Sequence, residues 1–225
     1  MQNSNPLLFD GSVYNAVNNV VHTAIRNGIG VKLQQTEMVD IGDGVLCSGA
    51  FDSGSATSVP CLYVAMKKPV EEWLPVLLHE GSHMDQFIQD AACWKALRED
   101  FDPHADQMFF EWIAGERECD AETIAKLARV LAEVELDCEI RTVDKIMNSD
   151  LGNIIDVGQY IQKANSYVMF YTYIGKYNVR KFYPVDRVPY KTPEIYKKFP
   201  RYFIEDISNL TEEYKLLYDS IMMCN

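Results

Sequence analysis

His79, Glu80 and His83 stand in the run His79-Glu80-Gly81-Ser82-His83, two imidazoles four residues apart with a carboxylate beside the first. On an α-helix, residues i and i+4 share a face, so both imidazoles can reach one ion while Glu80 stands next to it. Zn²⁺ takes imidazole nitrogen at about 2.0–2.1 Å, and a catalytic zinc needs three protein ligands with a fourth position open to water. The motif therefore predicts two ligands of one zinc ion and requires a third elsewhere. With 4 His and 16 Glu in 225 residues, random placement yields the pattern roughly once in two hundred such chains. The competing reading is a helix that carries two histidines and a carboxylate without metal.

The elements that must position these groups are legible on either side. Val70-Glu71-Glu72-Trp73-Leu74-Pro75-Val76-Leu77-Leu78 precedes the motif, and Phe87-Ile88 and Ala91-Ala92 follow it. This apolar content predicts a largely buried helix reaching about Arg98. Polar groups in such a setting need partners, since an unpartnered one costs several kcal/mol, and one bound cation serves all three. After a break at Glu99-Asp100-Phe101-Asp102-Pro103, Asp102 reads as an N-cap and Pro103 as a first helical residue. A long second helix is then expected to roughly Glu135, with Glu116 and Asp120 four apart on it, one carboxylate above the other. Glu118 and Glu122 repeat that spacing, so the register has an alternative.

With HExxH followed by a helical ExxxD, the chain resembles the gluzincins, the thermolysin-like zinc metallopeptidases. The resemblance covers roughly residues 60–130. It implies Glu116 as the third zinc ligand and Asp120 as the carboxylate that orients a ligating histidine, by preference His79; such partners fix an imidazole's tautomer and direction. It also implies an edge strand ahead of the motif helix that aligns an extended peptide. Val59–Met66 fits, which gives Leu62, Tyr63 and Val64 that role. Gluzincins further use a tyrosine or histidine to steady the oxyanion. Tyr167 and Tyr171, one helical turn apart, are the candidates here, and His22 and His104 read as structural.

The implied fold is α+β and zincin-like: a small mixed β-sheet with its edge strand over a long HExxH helix, then a mainly helical C-terminal part. Residues 1–145 would form the catalytic core and 146–225 a helical or irregular part packed on it. An early helix is expected over Val13–Arg26, with strands at Gly30–Gln34, Glu37–Ile41 and Gly44–Ala50. Ile155–Tyr177 has helical periodicity, and Asn209-x-x-Glu212 resembles a capping box before a last helix. Eleven of the thirteen tyrosines fall in residues 160–218. Such residues interleaved with Lys and Arg can stack single-stranded bases, but more commonly lay amphipathic side chains over a core.

The six cysteines show no CxxC pairing and read as reduced core residues of a soluble, cytoplasmic chain, which also lacks a signal peptide and an apolar run of membrane-span length. Residues 70–140 carry 18 acidic and 5 basic side chains, which favours cationic substrates and repels duplex nucleic acid. A protein or peptide substrate is expected, with no membrane partner, and the oligomeric state stays open. The expected chemistry is peptide-bond hydrolysis, with a zinc-activated water and Glu80 as general base. One rival is a deformylase-like HExxH hydrolase with Cys47 as a ligand; another is a non-catalytic protein that contains zinc and binds a partner.

Overall fold

The computed structural model describes residues 11–42, 44–54, 57–101, 105–179 and 189–222. The expected cap at Asp102-Pro103, and His104, lie outside them. The protein is α+β, with many helices and little sheet. Its chain divides into two compact units, one of residues 1–89 and 141–156, the other of residues 90–140 and 157–225. One helix contributes residues to both units.

The first unit opens with helix α1 (Gly11–Arg26), which buries Val13, Ala16, Val20 and Ala24 along one stripe. Strands β1 (Gly30–Gln34), β2 (Val39–Asp40), β3 (Leu46–Cys47), β4 (Gly49–Asp52) and β5 (Cys61–Ala65) follow. Three form a mixed sheet in the order β1-β5-β4, with β1 parallel and β4 antiparallel to β5; β2 and β3 pair separately. Every residue of β5 is buried, as a central strand requires. Its Cys61, Tyr63 and Ala65 pack with Val39, Ile41 and Cys47, which leaves Leu62 and Val64 to the opposite face. Leu62, Tyr63 and Val64 are therefore not an edge: β1 and β4 occupy both sides of them, and the outer antiparallel strand is β4.

Helix α2 (Val70–Ile88) carries the motif and packs on β4 and β5, with α1 against it. Trp73, Leu74, Leu77, Leu78, Gly81 and Met84 form its buried stripe, and Glu71 and Glu72 suit the positive end of the helix dipole in its first turn. The helix stops well short of Arg98. Asp90, with a left-handed φ of 49°, separates it from helix α3 (Ala92–Asp100).

In the second unit, α4 (Ala105–Ala114) ends at Gly115, whose φ of +78° is the left-handed turn that closes a helix. The amides of Gly115 and Glu116 bond back to Trp112 and Glu111. Helix α5 (Ala121–Asn148) begins afresh, so Glu116 and Asp120 do not share a helix. Asp120 is instead the N-cap of α5: its carboxylate accepts the Thr123 amide at 2.8 Å and the Thr123 hydroxyl at 2.7 Å. Residues 141–148 of α5 belong to the first unit, and the earlier part to the second.

Helices α6 (Val157–Tyr177), α7 (Pro193–Tyr196) and α8 (Glu212–Met222) complete the second unit. Its core joins Phe109 and Trp112 to Leu127, Leu131, Val168, Phe170 and Tyr218. The tyrosines fill this core and anchor their hydroxyls, as Tyr218 does on the Ser166 carbonyl at 2.8 Å. Asn165 holds the chain around Pro200–Ile204 to α6 through bonds to the carbonyls of Pro200 and Tyr202 and from the Ile204 amide. Helix α8 is capped by Thr211, whose hydroxyl accepts the Tyr214 amide, rather than by Asn209. No helix among the described residues is long and apolar enough to cross a membrane.

Candidate metal centre

Helical spacing sets His79 and His83 side by side on α2, with ring centroids 4.8 Å apart and the planes perpendicular. The amide oxygen of the fully buried Gln86 lies 2.9 Å from His83 Nδ1. An amide oxygen only accepts, so Nδ1 carries the proton and Nε2 is left as the ligating nitrogen. This orienting role, assigned to Asp120 by the family resemblance, is played for His83 by a residue one turn away on its own helix.

Glu80 leans toward the sheet. A Cβ built on Gly49 of β4 would meet Val76 Cγ1 at 2.5 Å, the Tyr63 carbonyl at 3.1 Å and Glu80 Cγ at 3.2 Å. Glycine is thus what lets α2, with Glu80 on it, lie this close to the outer strand. Burial, and then the Glu80 carboxylate, push the Cys47 thiol up from its ordinary value, against a smaller opposite pull from the Gly49 backbone. A thiol so placed stays protonated at neutral pH.

In the first unit, the end of α5 is bound to α2 by polar contacts. Ser82, inside the motif, accepts Thr142 Oγ1 at 3.0 Å and Lys145 Nζ at 2.6 Å, and Lys145 pairs with Asp85 at 2.7 Å. Among the described residues, the motif histidines take part in groupings of histidine, cysteine and carboxylate donors that could hold a metal ion. Imidazole is a donor that zinc accepts, and α2 by itself supplies two of the three protein ligands that a catalytic ion needs.

Glu116 is exposed in the turn after α4, and among the described residues no group of three potential ligands includes it. Asp120 is exposed with its carboxylate engaged at a helix cap, and Cys47 joins no such group either. Tyr167 and Tyr171 meet at their hydroxyls, 2.7 Å apart. Burial, then Tyr171 and the Glu135 carboxylate, raise Tyr167 well above the usual phenol value, so it remains a neutral hydrogen-bond donor. Tyr171 is a core residue, its ring 5.3 Å from that of Phe109. Sequence reasoning missed Gln86, the residue that orients His83. The available signal was its place three residues after a motif histidine, a polar side chain on the buried stripe of the same helix. His22 is exposed on α1.

No protein-family model matches the chain, and neither a curated protein nor a solved structure matches it.

Proposed function

We propose that the protein is a zinc-dependent hydrolase of peptide bonds, with His79 and His83 as metal ligands and Glu80 as the general base. The observation that carries this reading is the pair of imidazoles side by side on α2, ring centroids 4.8 Å apart, in a motif whose glutamate follows the first of them. An ion held there supplies Lewis acidity, lowering the pKa of a water toward about 7 and polarising a carbonyl. Gln86 holds His83 with Nε2 available. Glu80 takes the proton of the attacking water and hands it to the departing amine. An extended peptide lies along β4, the outer strand that passes over Glu80, and pairs with it through main-chain bonds.

Elemental analysis of the purified protein and its variants, with peptide-cleavage assays on a proteome digest, tests the reading. Glu80→Gln is expected to retain about one zinc per chain and lose cleavage by about 10²–10⁴-fold. His79→Ala and His83→Ala should lose the metal, while Glu116→Ala keeps both metal and cleavage. Cleavage undiminished in Glu80→Gln sinks the mechanism. Zinc undiminished in both histidine variants ends the reading of the motif as a metal centre.

A further inference from the structure

The second motif residue between the histidines has no part in the chemistry just described, yet Ser82 is fully buried and all its hydrogen-bonding capacity is used. Its hydroxyl donates to the Leu78 carbonyl at 2.8 Å and accepts from Thr142 at 3.0 Å and from Lys145 at 2.6 Å. One donor and two lone pairs are the whole inventory of a hydroxyl, so no alternative set of partners fits this one. Lys145 spans the seam a second time through Asp85, two residues past the motif. Both of its contacts are on α2.

Apolar packing along this seam is incomplete. A cavity of about 100 Å³ opens beside it, lined by Val20, Leu78, Gly81, Met84, Asp85 and Lys145. Apolar contacts tolerate slippage, whereas a saturated hydroxyl defines one register. Sliding an α-helix by one residue moves it about 1.5 Å and turns it about 100°. Such a step would break the bonds of Thr142 and Lys145 to the motif helix.

We infer that Ser82, Thr142, Lys145 and Asp85 form a latch that sets the register of the end of α5 on the motif helix and thereby holds His79 and His83 in place. These are positioning residues. The inference rests on the proposed ligand set for its purpose, but the latch itself is measurable in metal-free protein.

The test uses the full chain after chelation, with site-resolved iodoacetamide alkylation followed by mass spectrometry. Cys138 is fully buried, and Cys61, buried in the sheet of the same fold, reports general loosening. Lys145→Met, and the milder Thr142→Val, are expected to raise alkylation at Cys138 by about tenfold while Cys61 stays at the wild-type rate, and Lys145→Arg to restore most of the protection. In parallel, zinc affinity measured by chelator competition should fall about tenfold in Lys145→Met, in the lower range seen when groups supporting a ligand are removed. Unchanged Cys138 alkylation in both variants, or Cys138 and Cys61 rising together, overturns the latch. A wild-type chain that takes up no zinc would instead overturn the proposed function, while alkylation still decides the latch.

Discussion

Gln86 gives His83 its direction, and Gly49 gives Glu80 its place. The first is a hydrogen bond, the second an absence of atoms. At Gly49 a methyl group would overlap Val76 Cγ1 at 2.5 Å and press on the Tyr63 carbonyl at 3.1 Å, and the carbonyl belongs to a central strand that has little room to yield. Relief must come from Val76 and from the helix behind it, which carries Glu80. Gly49→Ala is therefore expected to cost about 1–3 kcal/mol of stability in urea unfolding. It should also lower cleavage by more than the loss of folded protein explains. Adding Val76→Ala removes the tightest contact and should recover most of that stability. A Gly49→Ala protein as stable and active as wild type would show that the strand does not position the base.

At the scale of elements, helix termini decide where the carboxylates go. Asp120 accepts two bonds from Thr123, and the backbone bond, followed by the hydroxyl, holds its carboxyl below the ordinary value of 3.8. A lowered folded value means that ionisation favours the folded state. The contribution is fully present above 3.8 and fades as pH falls through the lower folded value. Asp120→Ala is thus expected to lower Tm by about 2–4 °C at pH 7, by much less near pH 2, and to leave zinc content unchanged. Loss of zinc in this variant would restore Asp120 to the metal centre. The same terminus explains what the sequence concealed. Gly115 is a common helix-stop signal, yet good helix formers flank it, Ile113-Ala114 before and Glu116-Arg117-Glu118 after, and a continuous helix through Glu116 and Asp120 was the natural reading. The helix over Gly11–Arg26, the strand Gly30–Gln34 and the motif helix were legible because each carries an uninterrupted period of its own. The break at Asp90 was not, because a left-handed aspartate leaves no mark in composition. Nor was the bond from Thr142 to Ser82, since those residues meet only through the packing of two helices distant in sequence.

For the whole molecule, the proposed ion would link chemistry to stability. His79 and His83 stand side by side only once α2 has formed. An unfolded chain does not hold the pair together, so zinc bound there would favour the folded state and stabilise it by RT ln(1 + [Zn]/Kd), about 2.7 kcal/mol at a hundredfold excess over Kd. In a chain of 225 residues this corresponds to roughly 5–10 °C in Tm. The dense acidic charge of residues 70–140 can also gather divalent ions without a site, and would do so for Mg²⁺ or Ca²⁺ as readily as for zinc. Scanning calorimetry separates the two. Zinc should raise Tm of the wild type, and equal Mg²⁺ should not; neither should act on His79→Ala. Zinc competes with protons for its ligands, so the zinc increment should grow as pH rises from 6 to 8. An equal rise with magnesium, or an undiminished zinc effect in His79→Ala, would reduce the centre to diffuse electrostatics.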